Sequence, residues 1–165
     1  MSILDTLITD RTQADVDAVK ALSAKDMSEW TPAEVTAYLA GMKGSYNAQD
    51  LNRVGTACAY LYNLITGLGY NVYGYTALRT DWNIVNIPTA AEMQTYLSTV
   101  AALKAVFSAA QSVPATMDAL TYDGANDIER LFIEIDDIMT RLQAIYIRSG
   151  AWNAFSGTGF YIKEG

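Results

Sequence analysis

Histidine is missing from this sequence altogether, and that gap narrows its chemistry more than any residue it contains. Histidine is the commonest general base near neutral pH and the commonest transition-metal ligand. Without it, neither a serine–histidine nor a cysteine–histidine nucleophile can be assembled. Cysteine is nearly absent too. Cys58 stands alone, so an intrachain disulfide and a thiolate zinc site are both excluded, and an oxidising compartment gains no support. Its place on an apolar helical stripe predicts a buried, inert thiol.

Positive charge is scarce as well: 11 Lys and Arg stand against 18 Asp and Glu, a net −7. The basic residues are scattered from Arg11 to Lys163 with no cluster. Such a surface repels phosphate backbones and anionic membranes, so nucleic acid is not an expected partner and membrane insertion is not expected. No stretch approaches the ~20 apolar residues of a membrane span. Met1-Ser2-Ile3-Leu4-Asp5 lacks the basic start and apolar run of a signal peptide. Proline is rare, at three residues, which leaves room for long uninterrupted helices.

What remains is a globular composition, 51% apolar and 18% charged, with helical periodicity. Four starts carry a capping side chain and an acid three residues on: Thr12 with Asp15, Thr31 with Glu34, Asn47 with Asp50, and Thr89 with Glu92. Pro32 suits the first position of the second helix. Val16, Val19 and Leu22 give the first helix one face, and Val35, Tyr38, Leu39 and Met42 the second, which Gly41 and Gly44 close. The third carries Leu51, Val54, Cys58, Leu61, Ile65 and Leu68 at alternating steps of three and four. Met93, Tyr96, Leu97, Val100, Leu103 and Phe107 carry the fourth to about Ala110. The last runs from after Thr121 to about Arg148, roughly 40 Å, on Ile128, Leu131, Ile135, Ile138, Leu142 and Ile145, widened by Phe132, Met139 and Tyr146.

The expected fold is therefore all-α: a helical bundle of about five helices, three long and two short, joined by short polar turns. Residues 1–150 read as one domain and 151–165 as an aromatic, glycine-rich, non-helical tail. One connection, Tyr70 to Thr89, is long for a compact domain. Its aromatic residues predict that it is packed down, with a short strand or hairpin around Asn71–Tyr75.

Carboxylates are the remaining source of chemistry. Asp123, Asn126, Asp127 and Glu129 cluster at the start of the last helix without the spacing of a calcium loop, and acids there suit the helix dipole. Glu134, Asp136 and Asp137 read as the wet face of the same helix. Gly41-Met42-Lys43-Gly44 lacks the rest of a P-loop and reads as a tight helix–helix turn, and Arg53 as a structural ion-pair partner. No catalytic residue, cofactor or metal is assigned, and no enzyme activity is expected. Aromatics off the helical stripes are the candidate binding residues: Tyr73, Tyr75 and Trp82 in the long connection, and Trp152, Phe155, Phe160 and Tyr161 in the tail. Such side chains bury large areas at interfaces while keeping a polar tip. Packing beneath the long connection accounts for about half of the off-stripe aromatics.

Several segments resemble a helical module of prophage-encoded tail and minor structural proteins from phages of Gram-positive bacteria. They are Asp10-Arg11-Thr12-Gln13-Ala14-Asp15-Val16, Gly41-Met42-Lys43-Gly44-Ser45-Tyr46-Asn47 and Asp50-Leu51-Asn52-Arg53-Val54-Gly55. Asp81-Trp82, Ile87-Pro88-Thr89, Tyr96-Leu97, Leu120-Thr121-Tyr122 and Ala125-Asn126-Asp127-Ile128-Glu129 follow in the same order. The family commonly closes with Tyr-Ser-Gly-Glu, where this chain has Arg148-Ser149-Gly150-Ala151. The resemblance implies a virion structural protein of the distal tail (tip, baseplate or fibre), made in the host cytoplasm. Its implied partners are other phage tail subunits and further copies of itself. The alternative is a module of a tail adhesin that binds host cell-wall carbohydrate, with Tyr73 and Trp82 stacking on sugar.

Overall fold

Four helices start at the boxes that the sequence marks. Thr12 caps α1 (Gln13–Ser23), Thr31 caps α2 (Pro32–Leu39), Asn47 caps α3 (Ala48–Gly67) and Thr89 caps α4 (Ala90–Phe107). In each, the acid three residues on accepts the cap's backbone N–H, which satisfies donors that the first turn leaves free. Thr121 precedes α5 (Tyr122–Ser149), and its Oγ1 accepts the Gly124 N–H at 3.0 Å. The computed structural model describes residues 2–149. Within them the fold is an all-α bundle of five helices with three short 3-10 turns and no strand.

The core is made by α3, α4 and α5, each packed on the other two. The α3 stripe is buried along its whole length from Leu51 to Leu68. Tyr96, Leu97, Val100 and Leu103 of α4 meet it, as do Ile128, Leu131, Phe132, Ile135 and Met139 of α5. Leu4 and Leu7 pack onto this cluster from the N-terminal segment.

The three long helices run in the same direction. At one end Arg11 bridges Asp50 of α3 to Glu129 of α5, and Tyr46 just before α3 touches Tyr96 of α4. Further along, Tyr60 of α3 bonds Asp136 of α5, and Tyr70 after α3 packs edge-on against Phe107 near the end of α4. Parallel helices cannot be joined by tight turns, because the chain must travel back to the starting end. The expectation of short polar turns fails here for that reason. Residues 68–89 and 108–121 are the two return segments.

The first return segment carries no strand or hairpin at Asn71–Tyr75, contrary to the sequence expectation. A turn with Gly74 at φ +79 stands there, and the rest is fixed by side chains instead of a ladder. Tyr75 stacks on Tyr62 with ring centroids 3.9 Å apart, and Thr99 Oγ1 donates to the Thr76 carbonyl. Where the segment crosses α3, a Cβ on Gly55 would stand 3.0 Å from Thr80, so the crossing depends on the missing side chain.

Two further differences from expectation concern helix ends. α4 stops at Phe107 rather than Ala110, because Ser108 turns left-handed and Glu134 of α5 accepts the Ala110 N–H at 3.0 Å. α2 has no fully buried residue: Val35 and Tyr38 are about half covered, Tyr38 edge-on against Trp30, and Leu39 is mostly exposed, although their spacing marks an apolar face.

Candidate functional site

The segment before α1 places Arg11 in the interior, at the end of the bundle where α3 begins. Its Nη2 donates to Asp50 Oδ1 at 2.8 Å and to Glu129 Oε1 at 2.6 Å, and its Nη1 to the Ile8 carbonyl at 2.6 Å. Arg53, one turn into α3, donates to both oxygens of Glu129 at 2.8–2.9 Å and pairs with Asp50. Glu129 also accepts the Ile8 N–H at 2.6 Å. Asn126 pairs with the Arg11 backbone in both directions, accepting from its N–H and donating to its carbonyl, each at 2.9 Å. Arg11, Asp50, Asn126 and Glu129 are all buried. Two guanidinium and two carboxylate groups balance in charge, and this lets them sit away from water.

The surroundings reinforce the cluster. Arg11 lies over the Tyr46 ring at 5.6 Å, and Tyr46 shares a hydroxyl–hydroxyl bond with Tyr96. Burial pushes both tyrosine hydroxyls well above their ordinary range. The Arg53 guanidinium is held charged by Glu129 and Asp50 against the opposing effect of its own burial. Lys43 pairs with Asp10 at 2.8 Å and so pins the turn before α3 to the strand of chain leading into α1. Gly44 makes that approach feasible, since a Cβ there would fall 2.0 Å from the Asp15 carbonyl oxygen.

Sequence reasoning reads Arg53 correctly as a structural ion-pair partner. The helix-dipole reading of Asn126 and Glu129 misses their role: both are buried, Asn126 accepting from and donating to the Arg11 backbone and Glu129 accepting from both arginines. The available signal is the widened stripe of α5, where Glu129 stands between Ala125 and Phe132, four and three residues away on the inward side. Glu134 also departs from the wet-face expectation, because it clasps the Ala110 N–H beyond α4. Cys58 is fully buried, and burial pushes its thiol up, as expected of an inert thiol.

No family model, curated protein or solved structure matches this chain.

The candidate binding aromatics separate into three groups. Tyr73 stands out in solvent, 84% exposed. Tyr75 is taken up by its stack on Tyr62. Trp82 is a core residue, 8% exposed, with Arg79 over its ring at 4.5 Å. Both its backbone N–H and its carbonyl are held by the Asn52 side chain, at 2.7 and 2.8 Å. An open stacking face at Trp82 is therefore not what the structure presents. Trp152, Phe155, Phe160 and Tyr161 lie outside the described residues.

The surface feature that sequence reasoning missed is a groove of about 450 Å³ between the end of α2, the first turn of α3 and residues 82–84. Leu39 and Ile84 on its walls are 62% and 70% exposed, and Tyr38 is about half exposed. Its polar lining is neutral: Ser45, Asn47, Gln49 and Asn83. Val85 and Ile87, later in the same segment, are exposed as well. Among the described residues no group of three or more His, Cys, Asp or Glu side chains could hold a metal ion. No described helix is long and apolar enough to cross a membrane.

Proposed function

We propose that this chain is a structural component of the distal tail of a bacteriophage virion and acts through protein–protein assembly. The observation that carries the reading is the groove at the end of α2, whose apolar wall residues Tyr38, Leu39 and Ile84 stay exposed. A soluble monomer rarely exposes a contiguous apolar patch beyond a few hundred Å², and larger patches mark interaction sites. A helix that spends Tyr38 and Leu39 on its outer side is better explained by a partner than by its own bundle.

The resemblance supplies the context. Its scattered segments converge in space: Arg11, Tyr46, Asp50, Arg53, Asn126 and Glu129 form the buried cluster, Tyr96 bonds Tyr46 at its side, and Asn52 holds Trp82. A shared sequence pattern that builds an interior clasp is what a common scaffold requires. The rigid end of the bundle then presents the α2 groove to a neighbour. The carbohydrate-binding alternative asks Tyr73 and Trp82 to stack on sugar; Tyr73 is open to solvent, whereas Arg79 covers the Trp82 ring.

The test is biochemical. Particles induced from a lysogen carrying this gene are purified on a gradient, and their tails are examined by quantitative mass spectrometry. The chain should co-purify with tails at a fixed copy number per particle. Tails that are complete and infectious without it would overturn the assignment.

A further inference from the structure

We propose that residues 150–165 of one copy dock in the groove between α2 and the start of α3 on a second copy, joining chains head to tail. This deepens the assembly reading and rests on it.

Reach favours a second copy over the same one. The groove lies at the end of the bundle where α3 begins, level with the Arg11, Asp50 and Glu129 contacts. The described chain leaves at Ser149, the far end of α5. At 1.5 Å per residue, Ser149 lies roughly 30 Å along the helix from Glu129. An extended chain covers at most ~3.3–3.6 Å per residue. Trp152 can therefore stray about 10 Å from Ser149 and Phe155 about 20 Å. Neither reaches the groove of its own bundle, and Phe160 reaches it only with nearly every intervening residue stretched out. A second bundle placed beyond the end of α5 presents its groove to all four aromatics.

The two surfaces also match chemically. From residue 149 to residue 162 the sequence carries no charge, and it sets Trp152, Phe155, Phe160 and Tyr161 among Gly, Ser, Thr, Ala and Asn. The groove is likewise uncharged, with apolar walls and neutral amide and hydroxyl groups able to bond an extended backbone. In a chain of net charge −7, two neutral surfaces are also the ones that escape repulsion between copies. Aromatic side chains bury ~150–250 Å² each, so seating one or two of them in a groove of about 450 Å³ removes a few hundred Å² of apolar surface from water. Such a contact joins different patches of the two copies, and repetition generates a ring or a filament.

The full-length chain is made with p-benzoylphenylalanine in place of Phe155, as a mixture of light and heavy isotope forms, and irradiated. The expected products are a ladder of cross-linked species whose mixed-isotope peptides join residue 155 to residues 38–49 or 82–87. A second chain carries Leu39→Asp and Ile84→Asp, both at exposed positions, and its melting temperature should match that of the unmodified chain. Its self-association, measured by sedimentation, should weaken at least tenfold. Cross-links confined to single-isotope pairs, or mapping to another surface, would overturn the proposal, as would association that ignores both aspartates. A chain found in purified tails yet monomeric at all concentrations removes this contact and leaves the tail assignment standing. Absence from the tails removes the assignment itself.

Discussion

Glu129 receives four hydrogen bonds, from the Ile8 N–H, Arg11 and twice from Arg53, while its side chain has no exposure to solvent. Replacing it with alanine would not simply delete these bonds. It would leave Arg11 and Arg53 sharing the single charge of Asp50 in the interior, with the Ile8 N–H unpaired. Breaking a buried ion pair from one side costs about 3–5 kcal/mol. That is a large fraction of the ~5–15 kcal/mol that holds an ordinary domain together. Glu129→Ala should therefore shift the urea midpoint of unfolding strongly downward. Asp81→Ala, which removes the exposed partner of Arg79, should barely move it. Equal shifts in the two variants would show that the interior cluster is no clasp.

Helix by helix, the capping boxes carry a pH dependence. Glu34 is lowered from the ordinary 4.5 to about 2, first by the bond from Lys25 and then by the Thr31 N–H and hydroxyl. Asp15 is lowered by the hydroxyl and then the N–H of Thr12, and Glu92 by the N–H and then the hydroxyl of Thr89. A depressed carboxylate means that the folded chain binds fewer protons than the unfolded chain between the two pKa values. Its stabilising effect is complete above pH 4.5 and disappears as the pH falls toward 2. The melting temperature of the unmodified chain should exceed that of Glu34→Gln at pH 6, with the gap closing between about pH 4.5 and 2. A gap independent of pH would contradict the assignment of that carboxylate. These boxes were readable in the sequence because each joins residues only three apart, and the 3-4 stripes of α3 and α5 were readable because a helix repeats itself locally. The direction of the helices was not readable, since periodicity marks a face and leaves the axis free to point either way. Nor was the Arg11 cluster, whose partners lie 39 and 118 residues away in the chain. Trp82 read as a binding residue because nothing local reveals that Asn52, thirty residues earlier, holds its backbone.

Across the whole molecule, stability is distributed unevenly. The parallel core of α3, α4 and α5 is continuous, and both return segments are fastened along it by buried or stacked side chains. The excursion through α2 is fastened lightly. None of its residues is fully buried, and its contacts include the Trp30–Tyr38 ring pair, the exposed Lys25–Glu34 pair and a long 3.4 Å bond from Gln49 to the Leu39 carbonyl. Local opening free energies follow buried apolar contact, so the backbone amides of α2 should exchange with deuterium long before those at the centres of α3 and α5. Hydrogen exchange read by mass spectrometry at low protein concentration should resolve this difference directly. At concentrations where copies associate, α2 and residues 82–87 should gain protection, while the core, already near its limit, changes little. The lightly held α2 helix is then the element that a neighbour completes, and the clasped core is what keeps its docking edge in place. Protection in α2 that equals the core in the isolated chain would remove the reason to think its outward face awaits a partner.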